Sequence, residues 1–232
     1  MVTPTGLGTP HAAATQGTAA ICLAAFGTFF LSTYWLANRI TSARADVGAT
    51  VFEWERAIPF VECTIVPYLS IAVFFVASFF VRDSRAGLDA HVKRLVAALL
   101  ISLLCFAVFP QRFAFERPLT SGVTGLLFDA LAAFDQPYNR APSLHISVLV
   151  ILWARFAPRC AGWQRLALQA WFALIGVSVL TTYQHHFIDV PAGFVVGWTC
   201  VRMFPATRPA WWRALRVEQV FGQAPRGLRR ES

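Results

Sequence analysis

Twenty residues, Thr18 to Ala37, pass without a charged side chain, and the run closes at Asn38-Arg39. A helix of that length matches the ~30 Å hydrocarbon core of a bilayer. A second run, Phe60 to Val81, ends at Arg82-Asp83-Ser84-Arg85. Lys93-Arg94 opens a third, Leu95 to Phe109, which Pro110 closes. Three more follow: Pro142 to Phe156, Leu166 to Thr182 and His185 to Phe204. Only 14% of the residues are charged and 56% are hydrophobic, against about 25% charged in a soluble domain. The expected fold class is therefore all-α: a polytopic membrane protein built as a six-transmembrane-helix bundle. The fourth and sixth runs reach spanning length only if their polar ends count as helix, which holds where those ends are buried in protein.

The longest segment between runs is 110–142. Within it, Val123, Leu126, Leu127, Ala130, Leu131 and Phe134 recur with helical period, with Thr124 and Asp129 off that face. This predicts a short helix lying in the membrane interface between the third and fourth spans. Residues 18–205 then form one membrane domain, flanked by a tail over 1–17 and a basic tail over 206–232. The first seventeen residues hold no Lys or Arg, so they lack the charged start of a secretory signal, and the first run is expected to be retained as a span. Cys22, Cys63, Cys105, Cys160 and Cys200 are spread along the apolar runs with no metal-type pairing and read as small packing residues.

Six spans put both termini on one side and sort the loops by parity. The terminal side collects Arg82, Arg85, Lys93, Arg94, Arg155, Arg159, Arg165 and the seven arginines from Arg202 to Arg230. The other side holds Arg39, Arg44, Arg56, Arg112, Arg117 and Arg140. The positive-inside rule makes the terminal side cytoplasmic. The net charge of +8 is mostly this orientation signal. With no basic-aromatic interleaving, nucleic acid is not an expected partner. Membrane lipids are, and no feature of the sequence identifies a protein partner. Short loops and a preference for Arg over Lys suit a cell inner membrane, with the active site facing the periplasm or the outside.

Three of the five histidines stand at ends of apolar runs: His145 in Pro142-Ser143-Leu144-His145, and His185 and His186 in Tyr183-Gln184-His185-His186-Phe187-Ile188-Asp189. Ionisable groups placed there are costly and point to function. His185 and Asp189 are four apart, one face of a helix if the segment is helical. A carboxylate on one imidazole nitrogen leaves the other free as acid, base or nucleophile. His186 would then point about 100° away. The parity that orients the chain also puts Arg117, Arg140 and both histidine motifs on one side. Guanidinium forks and helix N-terminal amides match phosphate oxygens. The combination suits phosphoryl transfer, with one imidazole attacking and another protonating the leaving oxygen.

These residues resemble the type 2 phosphatidic acid phosphatase superfamily of six-span lipid phosphatases and phosphotransferases. The family pattern has three parts: Lys, six residues, Arg-Pro; then Pro-Ser-Gly-His; then Ser-Arg, five residues, His, three residues, Asp. Arg117-Pro118 matches the end of the first part, with Pro110 where the lysine belongs. Pro142-Ser143-Leu144-His145 matches the second, with Leu for Gly. Ser178, His185 and Asp189 match the third, with Val179 for Arg. The resemblance implies His185 as nucleophile, His145 as general acid and Asp189 as the group orienting His185, with Arg117 and Ser143 holding phosphate. Two of the pattern's cations are missing, so Arg112, Arg140, Gln184 and Tyr183 are the candidates to supply further phosphate contacts. No metal or other cofactor is required in this scheme.

The expected activity is hydrolysis of a phosphorylated lipid. Similarly loosened motifs occur in the branch resembling sphingolipid head-group synthases, which keeps a lipid phosphotransferase open. A hydrolytic zinc held by His145, His185, His186 and Asp189 is a further reading. A transporter or lipid-binding protein is another, although matching halves with broken helices are not visible.

Overall fold

A computed structural model describes residues 13–206. They form seven α-helices: α1 (Gln16–Ser42), α2 (Ile65–Phe80), α3 (Arg85–Val108), α4 (Gly122–Phe134), α5 (Leu144–Phe156), α6 (Gly162–Thr181) and α7 (Asp189–Met203). Among the described residues there are no strands, only isolated bridges such as Gly48 with Gln111 and Arg112 with Tyr138. The all-α expectation holds. Four helical segments are long and apolar enough to cross a membrane: α1, α3, α6, and Glu62–Phe80, which is α2 with the 3-10 turn before it. The helices α5 and α7 are shorter, at 13 and 15 residues. Most of the two expected tails lies outside the described residues.

Helix ends differ from the hydropathy boundaries where polar residues find partners in the protein. Helix α1 runs on past Ala37 to Ser42 because its polar last turns are docked. Asn139 donates from Nδ2 to Asn38 at 2.8 Å and accepts from the Thr41 hydroxyl at 2.7 Å. Helix α3 starts ten residues before Leu95. Ser84 caps it by accepting from the Gly87 amide at 3.1 Å, and Asp89 pairs with Lys93 one turn on at 2.7 Å. Charged first turns thus belong to the helix, although hydropathy alone ends it at Leu95.

Helix α4 matches the short helix expected within 110–142, and its apolar stripe is divided between a packed and an exposed part. Val123 and Leu126 of the apolar stripe are exposed, and Gly125, Phe128 and Leu131 are buried. In a chain surrounded by lipid, an apolar stripe need not face protein, so periodicity alone does not say which side packs.

The closest crossing joins α5 and α7. Gly193 and Gly197, four apart on α7, lie against Ser143 and Ser147, four apart on α5. A Cβ at 193 would collide with the Ser143 carbonyl oxygen, and one at 197 would come 2.6 Å from the Ser147 carbonyl oxygen. The Ser147 hydroxyl donates to the carbonyls of Ser143 at 3.0 Å and Gly193 at 2.9 Å. Small residues at this spacing let backbones approach where lipid supplies little hydrophobic drive between helices. On either side of the crossing lie two apolar clusters, one around Phe26, Phe79, Leu95 and Leu99, the other around Ile65, Phe128, Leu149 and Phe172.

At the far end of α5, Arg155 is buried and ion-paired with Asp83, which also accepts from Arg159 at 2.9 Å. Arg155 Nε donates to the Ser78 carbonyl at 3.1 Å. Arg94 is likewise buried and donates to the Phe204 carbonyl at 2.9 Å. Arg94 and Arg155, two of the basic residues expected to mark the terminal side, are therefore part of the packed bundle.

Candidate active site

The histidine motifs meet at the end of the bundle where α5 and α7 begin. Ser143 caps α5. Its hydroxyl accepts from the Ile146 amide at 3.3 Å, and its own amide donates to the Asp189 carbonyl at 3.0 Å. This backbone bond ties the start of α5 to the start of α7. In the first turn of α5, His145 stacks on Tyr68 with ring centroids 4.2 Å apart.

The segment carrying His185 is a tight turn, and the helix begins only at Asp189. Its backbone reverses at Tyr183, in the left-handed region at φ 56°. The Val179 carbonyl then accepts both the Gln184 amide at 3.2 Å and the His185 amide at 3.0 Å. Helix α7 starts at Asp189, with Pro191 in its first turn, where a missing N–H does no harm. The i, i+4 relation therefore spans a turn and a helix start, yet the pair still forms. His185 Nδ1 and Asp189 Oδ2 are 3.3 Å apart, and the same oxygen accepts the His186 amide at 2.9 Å. With Nδ1 donating to the carboxylate, Nε2 carries the lone pair and has no hydrogen-bond partner among the described residues.

His145 and His185 line one cavity of about 310 Å³. Asp135 and Asn139 share its polar end. From there it runs between α1, α2 and α3 past Tyr34, Phe30 and Phe26 on one side and Tyr68, Ala72 and Phe75 on another, to Leu95 and Leu99. Along α1, Tyr34 to Phe26 is a depth of ~12 Å at 1.5 Å per residue.

The expected phosphate ligands divide. Arg117 is half-buried, with its guanidinium over the Phe128 ring at 4.9 Å and its Nε buried without a partner among the described residues. Burial lowers its pKa, and the nearby Arg140 charge lowers it further. Arg140 is buried and engaged, donating to Asp135 at 3.0 Å, to the Gln136 carbonyl at 2.6 Å and to Gln184 Oε1 at 3.3 Å. Burial opposes its charge, but Asp135 with the Tyr34 and Tyr68 hydroxyls outweighs it, and the pKa is raised. Among the described residues, Gln184 keeps a buried Nε2 without a partner, as Arg140 keeps its Nε and His145 its Nε2. Tyr183 donates its hydroxyl to the Ile58 carbonyl at 3.0 Å and serves the loop. Arg112 is exposed, and neither it nor Arg117, Arg140, Ser143, Tyr183 or Gln184 is among the residues lining the cavity; it is the Arg112 amide that is engaged, at 2.8 Å from the Gly48 carbonyl. Val179, at the family's arginine position, is packed in the core with Ile65, Leu149 and Phe172, and the lysine position is a buried Pro110.

Sequence reasoning missed Glu55, Asp135 and Asn139. Glu55 lies in the polar loop after α1 beside Glu53 and Arg56, and no pattern distinguishes it from Glu53. In the fold it is fully buried. Its carboxylate accepts from the Phe52 amide at 2.9 Å, from His186 Nδ1 at 2.9 Å and from the Phe187 amide at 3.0 Å. The other ring nitrogen of His186, Nε2, accepts the Ala114 amide at 3.1 Å. Both nitrogens of His186 are thus occupied, which removes it from a zinc set. Among the described residues no three His, Cys, Asp or Glu side chains are grouped to hold a metal ion. Comparisons with protein-family models, with curated proteins and with solved structures each return no match.

Proposed function

We propose that this chain is a six-span membrane enzyme of the type 2 phosphatidic acid phosphatase superfamily that hydrolyses a lipid phosphate at the non-cytoplasmic face. The observation that carries the reading is one cavity with His145 and His185 at its polar end and an apolar remainder. A lipid substrate has that same division. The short helices α5 and α7 complete six spans because their motif ends pack against protein and not lipid. The positive-inside count then puts both termini in the cytoplasm and the cavity mouth on the periplasmic or outer side of an inner membrane.

In this reading His185 Nε2 attacks phosphorus while Asp189 holds the Nδ1 proton and stabilises the imidazolium character that develops. The P–O bond to the lipid breaks as His145 protonates the departing oxygen. Water then attacks the phosphohistidine and releases phosphate. The unpartnered nitrogens of Arg117, Arg140, Gln184 and His145 support an anionic ligand, because phosphate oxygens only accept. The experiment is a lipid-phosphate panel on purified protein, reading free phosphate and new lipids together. Turnover that persists undiminished in His185→Ala would sink the mechanism.

One observation favours transfer over hydrolysis. Asp135 pairs with Arg140 at 3.0 Å, leaving Arg117 as the nearby guanidinium with no carboxylate partner among the described residues. A phosphodiester, with one charge fewer than a phosphomonoester, suits a single unpaired cation better. Label moving from a headgroup-labelled donor into a new lipid, with little water-soluble product, would establish a phosphotransferase on the same phosphohistidine chemistry.

A further inference from the structure

We propose that Glu55 and His186 are positioning residues that lock the turn carrying His185 against the loop carrying Arg117; this rests on His185 being the nucleophile.

The protein fixes the proton of His186. Its Nε2 accepts an amide hydrogen from Ala114, so Nε2 holds a lone pair and the ring is neutral. The single ring proton is then on Nδ1, where it is donated to Glu55. Such an imidazole has neither a free lone pair nor a spare proton for chemistry. It acts instead as a bridge with one donor end and one acceptor end.

What it bridges is specific. Ala114 is three residues before Arg117, and the neighbouring Phe113 and Phe115 rings pack against the imidazole at 4.5 and 5.0 Å. On the other side, Glu55 grips His186 twice, through the ring and through the next amide at Phe187. Asp189 holds the same turn from within, through the His186 amide and the His185 ring. Two carboxylates from distant parts of the chain therefore clamp residues 185–189, and the His186 ring carries that clamp to the 110–118 loop. The distance between the attacking nitrogen and the phosphate-binding guanidinium is set through this bridge. Misplacing reacting groups by about 1 Å costs on the order of 100-fold in rate.

The test uses the full chain in detergent, with Glu55→Gln, His186→Phe and His186→Gln. Glutamine at 55 puts an amide against N–H donors. Phenylalanine at 186 keeps the stacking and loses both bonds, whereas glutamine at 186 keeps one donor and one acceptor. With dioctanoyl phosphatidic acid as probe, Glu55→Gln and His186→Phe are expected to lose about 100-fold in kcat with KM within about threefold, and His186→Gln to recover much of the loss. In 15N-histidine spectra of the wild type, His186 is expected to show the tautomer with its proton on Nδ1, and the His185 signals to move in Glu55→Gln. Loss of kcat only in step with falling Tm, with no recovery in His186→Gln, would overturn the proposal. If the wild type turns over no lipid phosphate, the functional reading fails, and the spectra decide alone. Unmoved His185 signals in Glu55→Gln then refute the clamp, and shifted ones support it.

Discussion

The Ser147 hydroxyl reaches across to the Gly193 carbonyl, 2.9 Å away, and the backbones of α5 and α7 touch at that point. His145 and Asp189 each lie within about a turn of this contact, so the crossing sets the distance between the two histidine motifs.

Gly193→Ala tests that role. The added methyl meets the Ser143 carbonyl, part of the backbone that caps α5, so neither helix can yield locally. The expected outcome is a loss of about 1–3 kcal/mol in stability, read as a fall in Tm, together with lost turnover. Gly176→Ala, whose Cβ would meet only the end of Leu149 at 3.7 Å, is expected to change Tm little. Equal effects at the two positions would show that the crossing is not specially tight.

His185→Ala is expected to cut turnover by roughly 10⁴-fold or more, as removal of a nucleophile does, with Tm nearly unchanged. His185 makes one long side-chain bond, and Asp189 keeps the His186 amide when it is lost. Unfolding of the variant would assign His185 a structural role instead.

Arg117 and Arg140 are expected to fail in different ways. Arg117→Ala removes a cation from phosphate, at about 3 kcal/mol in transition-state stabilisation, with the fold intact. Arg140→Ala leaves the half-buried Asp135 with the Tyr34 hydroxyl but without its cation, a loss of about 3 kcal/mol in stability. Adding Asp135→Asn to Arg140→Ala should restore part of the Tm. Kinetics and thermal denaturation on the three variants separate the two roles. A stable, inactive Arg140→Ala would make Arg140 a direct phosphate ligand.

Orientation follows from charge. Cysteine at position 136, an exposed site in the 110–142 segment, placed in a cysteine-free background, is expected to react with an impermeant label added from outside. Reaction only after permeabilisation would reverse the topology.

The sequence by itself determined that this chain is helical and apolar, and roughly where each helix lies, because a bilayer-length run without charges has few alternatives. It also singled out His145, His185 and Asp189, since titratable groups at the ends of apolar runs stand out against their surroundings. The ends of helices were less legible. Asn38, Thr41 and Arg94 read as loop until partners such as Asn139 and the Phe204 carbonyl are known, and those partners are about 100 residues away in sequence.

Only the tertiary structure decided which polar residues work together. Glu55 looks like any loop glutamate, and its burial follows from the amides of Phe52 and Phe187 and the ring of His186 converging on one carboxylate. Arg140 and Arg112 look alike as basic loop residues, yet one is buried against Asp135 and the other is exposed. Two adjacent histidines likewise divide: among the described residues a nitrogen of His185, which lines the cavity, has no partner, and both nitrogens of His186 are occupied. Hydropathy and spacing report what a residue is and where it falls along one element. Which donor meets which acceptor depends on segments distant in sequence being packed together, as α7 is packed on α5 through Gly193 and Gly197.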